Sequence, residues 1–205
     1  MYPPPAYHVT DPELAHRAID AFPLAAVVST GPDGLVATHI PLLVERTGGA
    51  GTLIGHLDRE NPHVGLLDGA DVLALFRGPD TYISPTTYVT RQLPTWNYVF
   101  VEARGTARLV EDPERVRSFL VRLIDHVEPR PGGWALADDD RRVPPLLPHI
   151  VGVEIPLRSI EGRFKFSQEK VEADRERAAE RMLGVSSPDG RRFLHEVLGY
   201  DGRAG

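Results

Sequence analysis

Apolar residues recur along this chain with two different periods, and each period predicts a different element. In DPELAHRAIDAF, at residues 11–22, an Asp-Pro start precedes four apolar residues that fall on one helical face, which predicts a helix. A second helix is predicted after Asp112 as cap and Pro113 in the first turn, because apolar residues then recur every three or four positions from Val116 to Val127. Both helices are expected to pack on the domain through one face.

The β-rich runs are short, and turn residues separate them. LAAVVST and LVATHIPLLVER are joined by GPDG, which predicts a hairpin, and GTLIGHL predicts a third strand. ADVLALFRG has the continuous apolar character of a buried strand, and WNYVFVEARGTARLVE predicts a long strand with a break or bulge at Gly105. With a last strand in IVGVEIPLRSIEGRF, the pattern predicts an α+β domain built round a β-barrel with peripheral helices.

The carboxyl-terminal quarter of the chain changes character. Residues 128–149 are rich in Pro, Gly and charge, which predicts a loop before the last strand. QEKVEADRERAAERML spaces Glu and Arg at helical intervals and predicts an exposed helix. We therefore expect a cofactor-binding barrel with its helices over residues 1–168 and a charged helical extension over residues 169–205.

Composition narrows the classes of partner. The 205 residues carry 23 Lys and Arg against 29 Asp and Glu, for a formal charge of −6. No overall basic field is available to attract nucleic acid. Without cysteine there is no thiolate ligand, and histidine is the softest strong metal ligand available. The first residues lack a secretory pattern and no stretch is apolar enough to span a bilayer, so a cytoplasmic protein is expected.

Four segments combine polar and aromatic residues in strands or turns: ATHIPLL, GHLDRENPH, GPDTYISPTTYVTRQLPTWNY and IEGRFKFSQ. Their residue types suit a planar cofactor with anionic groups. The candidate ring contacts are Tyr82, Tyr88, Trp96 and Tyr98, and the candidates for anionic groups are Thr38, Arg91, Lys165 and Ser167. Simpler interpretations stand beside these: His39 as a core or interface histidine, Trp96 as core, and Lys165 on the wet face of a strand.

Taken in order, MYPPPAY, THIPLL, GTLIGHLDRENP, FRGPDTYISP, LPTWNY and IVGVEIPLRSIEGRFKFSQ resemble the PaiB-like family of FMN-binding negative transcriptional regulators over nearly the whole chain. The resemblance implies a split β-barrel of the flavin-reductase and pyridoxamine-oxidase type. It also implies a homodimer with cofactor sites at the interface. The sequence has no nucleophile elbow, Gly-rich phosphate loop, His-Glu-x-x-His helix or GxGxxG that would favour another class.

The resemblance leaves two cofactors open. One branch of proteins that resemble this family consists of haem-dependent piperazate synthases, which convert N5-hydroxy-L-ornithine to piperazic acid and water by closing an N–N bond. Family members commonly read NPQW where this chain reads NPHV, so His63 replaces a glutamine. An imidazole gained in a cofactor-facing turn is what an axial haem ligand requires.

The leading hypothesis from the sequence is therefore a haem b-dependent cyclase that forms an N–N bond in an amino-acid substrate. Its axial ligand would be His63, with His56 as second choice, and its substrate contacts would come from Arg91, Thr90 or Lys165. The alternatives are an FMN-binding regulator and a flavin-dependent reductase. In the regulator, Thr38, Lys165 and Ser167 would contact flavin, and Arg141, Arg142, Arg191 and Arg192 would face DNA or a protein partner. Unless the protein is such a regulator, we expect no nucleic-acid partner. His39 is a further candidate for cofactor contact.

Overall fold

The computed structural model describes residues 5–46, 48–128, 132–137 and 139–199. The nine strands described are β1 His8–Val9, β2 Leu24–Gly31, β3 Gly34–Pro41, β4 Leu43–Glu45, β5 Thr52–Asp58, β6 Asp71–Ile83, β7 Thr95–Thr106, β8 Arg108–Val110 and β9 Ile150–Lys165. The described helices are α1 Pro12–Ala21, α2 Pro113–Val127, α3 Val143–Leu146, α4 Glu172–Val185 and α5 Pro188–Leu198. Short 3-10 turns cover Pro5–Tyr7, Pro62–Leu66, Pro85–Thr87 and Leu147–His149.

The strands form one sheet in the hydrogen-bonded order β3-β2-β6-β7-β9-β5-β4, and β1 and β8 each pair with β9. The predicted hairpin is present: β2 and β3 pair antiparallel from Leu24 opposite Pro41 to Gly31 opposite Gly34. Gly34 has a φ of 121°, a conformation that glycine adopts without steric cost, and this explains the sharp turn. β3 lies at one end of this order and is an edge strand.

Two compact units share the sheet, and β6, β7 and β9 contribute residues to both. The described part of the first unit comprises residues 5–22, 76–102 and 161–199, and the second comprises 23–75 and 103–160. α4 and α5 belong to the first unit. The domain boundary at residue 168 stays a prediction.

In the second unit, α2 covers one face of β5 and β9. Asp112 caps the helix as predicted, because its carboxylate accepts a hydrogen bond of 3.2 Å from the Arg115 amide. Phe119 packs with Leu43 and Ile54 in a buried cluster. The apolar stripe of α2 is thereby removed from water, which is the main stabilisation of an amphipathic helix.

Three details of the prediction are wrong. The run LVATHIPLLVER is not one strand, because β3 ends at Pro41 and β4, which pairs with β5, begins at Leu43. The interruption of the long strand falls at Ala107, between β7 and β8, while Gly105 continues the ladder of β7. Gly105 is needed for close approach, since an added Cβ would collide with the carbonyl oxygen of Pro156. The tail helix α4 is also not fully exposed, because it buries one face that includes Asp174, Ala178 and Met182. No helix in the described ranges is long and apolar enough to cross a membrane.

Candidate functional site

The side chain of His63 lies in the middle of a buried hydrogen-bond chain. Asn61 begins the 3-10 turn of Pro62–Leu66, and its Oδ1 accepts a hydrogen bond of 2.9 Å from the His63 amide. The imidazole then reaches both strands of the hairpin: Nε2 lies 2.8 Å from Ser29 Oγ on β2, and Nδ1 lies 2.9 Å from Thr38 Oγ1 on β3. His63 is 1% exposed and Ser29 is 3% exposed.

Both ring nitrogens of His63 are thus engaged. Burial lowers the pKa of His63, which favours the neutral imidazole with one N–H donor and one acceptor nitrogen. One of the two hydroxyls therefore accepts from the ring and the other donates to it. An axial haem ligand needs a ring nitrogen whose lone pair faces iron, and this geometry leaves none available. The donor set at His63 does not fit a haem iron without the loss of one of these hydrogen bonds.

His56, the second-choice ligand, lies elsewhere in the second unit. It is half-buried on β5, opposite Gly152 of β9, and its imidazole has no hydrogen-bond partner among the described residues. A Cβ at Gly152 would contact Phe119 and Val116 of α2, so this face of the two strands is the one that α2 covers. Burial lowers the pKa of His56 and favours its neutral form. His56 is therefore a partly buried histidine on the face that α2 covers.

The two remaining candidates on β3 point in opposite directions, because side chains alternate along a strand. Thr38 is half-buried and contacts His63, whereas His39 is exposed on the other face. The structure therefore joins Thr38 to His63 and leaves His39 apart from them.

Arg59 anchors the turn before His63, a role that the sequence did not reveal. Its guanidinium contacts both carboxylate oxygens of Glu111 at 2.7 and 3.1 Å and donates to the carbonyl oxygens of Pro148 and Ile150, each at 3.1 Å. The Arg59 amide also donates to the carbonyl oxygen of His149 at 2.9 Å. The partners of Arg59 lie 52 to 91 positions away in the sequence, so no local motif around Arg59 predicts these contacts.

In the first unit, Tyr82 and Trp96 form an exposed aromatic pair. Their ring centroids are 6.3 Å apart at an interplanar angle of 61°, and they are 45% and 53% exposed. The interpretation of Trp96 as a core residue is therefore wrong. Tyr98, the remaining aromatic candidate, is half-buried, with Arg163 stacked 5.7 Å from its ring centroid.

Lys165 is held at the end of β9. It hydrogen-bonds Thr95 Oγ1, and its ammonium nitrogen lies 5.5 Å from the ring centroid of Tyr7. Burial lowers the pKa of Lys165, and Glu169 opposes this effect. Burial and a hydrogen bond to Glu169 also raise the pKa of Tyr7 to about 12. Lys165 is the candidate cation with the most defined surroundings in the first unit.

Ser167 and Tyr88 belong to a buried polar chain. Ser167 is fully buried with a φ of 62°, and its hydroxyl donates to Asn97 Oδ1 at 3.1 Å. The Tyr88 hydroxyl lies 3.0 Å from Ser167 Oγ. The hydroxyls of Ser167 and Tyr88 are therefore hydrogen-bonded within the protein. Asn97 belongs to the same hydrogen-bond network, and the sequence did not reveal its role.

Asp174 of α4 organises the segment that contains the remaining candidates. Its buried carboxylate accepts hydrogen bonds from the amides of Val89 and Thr90, at 2.7 and 3.0 Å, and from the Thr90 hydroxyl. Burial opposes ionisation, but these hydrogen bonds and one from Gln92 hold the pKa of Asp174 below its ordinary value. Thr90 is therefore engaged structurally, while Arg91 is exposed and has no partner among the described residues.

The arginines considered for DNA binding differ in their surroundings. Arg142 pairs with Asp140 at 2.6 Å, Arg192 pairs with Asp189 at 3.2 Å, and Arg191 donates to the Ser186 carbonyl oxygen at 2.6 Å. Arg141 is exposed. Most of these arginines are thus engaged by near neighbours in the chain. The described residues contain no group of three His, Asp or Glu arranged to hold a metal ion.

Comparison with known proteins identifies the family. A family model described as "Putative FMN-binding domain" matches residues 1–159. The chain belongs to this FMN-binding family. The protein named "Protease synthase and sporulation protein PAI 2" of Bacillus subtilis is 29% identical over 200 residues, 94% of each chain. This confirms the PaiB-like resemblance.

Solved structures extend the likeness of this FMN-binding family member to its fold. The flavocytochrome Anf3 of Azotobacter vinelandii superposes with a TM-score of 0.61 at 16% identity, over 78% of this chain and 70% of the other. An FAD- and haem-binding protein of Mycobacterium smegmatis gives 0.59 at 19% identity, over 78% and 73%. The predicted α+β fold of the split-barrel type is confirmed.

Proposed function

We propose that this protein binds flavin mononucleotide and uses it, rather than haem, as its cofactor. The observation that carries the proposal is the match of the FMN-binding family model over residues 1–159. The surroundings of His63 agree with it, because both ring nitrogens are hydrogen-bonded to hydroxyls. A bound flavin would supply reversible transfer of one or two electrons.

The residues that suit a flavin keep separate roles. Thr38 offers a hydroxyl on an edge strand, and the ring of His63 holds that hydroxyl in place. The candidates in the first unit are considered by themselves: the exposed rings of Tyr82 and Trp96 suit a planar partner, and Lys165 suits an anionic group. The chain's own contribution would be to bind and orient the flavin and to set which of its faces water can reach. We further propose a homodimer, as expected for this fold.

For the biological role we favour the FMN-binding regulator. The proposal rests on the PaiB-like resemblance and on the relative named "Protease synthase and sporulation protein PAI 2", which is 29% identical to this chain over 94% of its length. The flavin-dependent reductase is the enzymatic alternative, and oxidation of a reduced nicotinamide cofactor by the flavin-loaded protein would separate the two. Turnover would establish the reductase.

The haem-dependent N–N cyclase is the second candidate. It has in its favour the histidine that replaces glutamine after Asn-Pro, and two similar folds whose titles name a flavocytochrome and a haem-binding protein. It requires His63 to exchange one hydroxyl contact for iron, or His56 to bind iron on the face that α2 covers. The flavin proposal requires neither change.

An absorption spectrum of the purified full chain, loaded separately with FMN and with haem, tests the proposal. We expect one bound flavin per chain, whose absorption is bleached by dithionite, and no Soret band of specifically bound haem. Thr38→Val should weaken FMN binding about tenfold, the effect of one hydrogen bond, whereas Thr30→Val on the exposed face of β2 should leave it unchanged. A sharp Soret band that shifts on reduction, with no flavin retained, would overturn the proposal in favour of the haem enzyme.

A further inference from the structure

A cavity of about 520 Å³ lies in the first unit, and none of the residues proposed above to contact flavin lines it. One wall is the segment of residues 86–89, and the other is formed by Arg177, Glu180 and Arg181 of α4. We propose that this cavity is a second ligand site, which binds a small molecule that carries a phosphate or diphosphate group.

The cavity wall formed by residues 86–89 is held in place by contacts within the protein. Asp174 binds the amides of Val89 and Thr90 on the side of α4. The Tyr88 hydroxyl contacts buried Ser167, and the Tyr88 ring packs in a buried cluster with Ile83 of β6 and with Ala178 of α4. A wall held by several such contacts loses little conformational entropy on binding, and this favours affinity for a small ligand.

The helix-side wall carries an excess of positive charge. Arg177 and Arg181 are four positions apart and so lie on one helical face, where like charges repel. The Arg181 side chain has no ion-pair or hydrogen-bond partner in the part of the chain that the structure describes. Arg177 forms an exposed ion pair with Glu180 at 3.4 Å, and such exposed pairs contribute little to stability. Two guanidinium groups and one carboxylate give this wall a net positive charge, although the chain as a whole has a net charge of −6.

The chemistry of the lining favours phosphate among anions. The planar guanidinium fork matches the spacing of phosphate oxygens, and two forks on one face can bind two oxygens each. Thr87 adds a hydroxyl, and its backbone amide is already satisfied by the Ser84 carbonyl oxygen. The volume exceeds that of a single phosphate group and falls within the range of small-molecule sites, so room remains for an organic part. Glu180 would compete with the ligand for Arg177.

Because Glu180 competes with the ligand, substitutions of Glu180 and of the two arginines should change the binding affinity in opposite directions. Titration calorimetry of the full-length, FMN-loaded protein with inorganic pyrophosphate should show binding that Arg181→Gln and Arg177→Gln each weaken about tenfold. Glu180→Gln should strengthen it about two- to threefold, since it frees Arg177. The matched controls are Arg192→Gln and Asp189→Asn on α5, which make the same charge changes in an exposed pair and should shift affinity less than about twofold.

Three results would overturn the proposal. Absence of binding heat with the unaltered protein at millimolar pyrophosphate would remove the site. Equal effects of the α4 and α5 variants would show a general response to net charge. Release of FMN by pyrophosphate would show that the cavity holds the flavin's own phosphate rather than a second ligand. Thermal unfolding of each variant checks folding, and we expect no loss because all of the altered side chains are exposed.

Discussion

The hydrogen bonds of His63 make a quantitative prediction for His63→Ala. The substitution removes a side chain that is 1% exposed and leaves the Ser29 hydroxyl, itself 3% exposed, without its partner. An unsatisfied buried polar group costs about 1–3 kcal/mol, and the lost packing adds to this cost. Thr38 is half-buried and recovers a water contact. We therefore expect a loss of about 2–4 kcal/mol in the free energy of unfolding, or about 5–15 °C in Tm for a chain of this length.

His63→Gln separates the structural role from the ligand role. The glutamine amide carries one acceptor and one pair of donors, so it can bridge the Ser29 and Thr38 hydroxyls as the neutral imidazole does. We expect His63→Gln to keep the unfolding free energy within about 1 kcal/mol of the unaltered protein and to retain bound FMN.

Urea unfolding followed by circular dichroism, with the cofactor spectrum recorded on each variant, measures both effects. The control is His149→Ala, because this side chain is exposed and lies near the same turn. Its free energy of unfolding should stay within about 0.5 kcal/mol of the unaltered protein. The reasoning is refuted if His63→Ala unfolds like the unaltered protein, or if His63→Gln loses as much stability as His63→Ala. Haem that is retained by the unaltered protein and lost from a stable His63→Gln variant would identify His63 as a ligand instead.

Three further outcomes follow from the structure. The folded-state pKa of His63 is lowered, so its contribution to stability should be complete above the ordinary histidine pKa of about 6.5 and decline as pH falls below it; pH-dependent unfolding should show a weaker decline in His63→Gln. Gly55→Ala should cost about 1–3 kcal/mol by chemical unfolding, because its Cβ would lie 2.6 Å from the Pro41 carbonyl oxygen, whereas Gly65→Ala, with open space around it, should not. Asp174→Asn should accelerate amide hydrogen exchange in the segment it binds; unchanged exchange would exclude it as an anchor.

Local features of the sequence predicted most of the elements. Asp112 and Pro113 set the start of α2, and the Pro-Asp-Gly turn set the hairpin of β2 and β3, because caps and turns depend on residues within a few positions of each other. The order of several motifs along the chain indicated the family, which the comparisons confirmed. The burial of α4 escaped prediction because small Ala178 and Ala179 form much of its buried face among charged residues.

The arrangement of the candidate site depended on tertiary structure. The sequence marked His63 as unusual, but its partners Ser29 and Thr38 are 34 and 25 positions away and are brought to it by the register of a hairpin. Asp174 likewise binds the amide of Val89 across 85 positions. Composition and periodicity specify which face a residue occupies, whereas the partner of a buried polar atom is set by how distant strands and helices pack. That is why the sequence by itself determined the elements and the family, and only the fold decided that His63 bridges two hydroxyls.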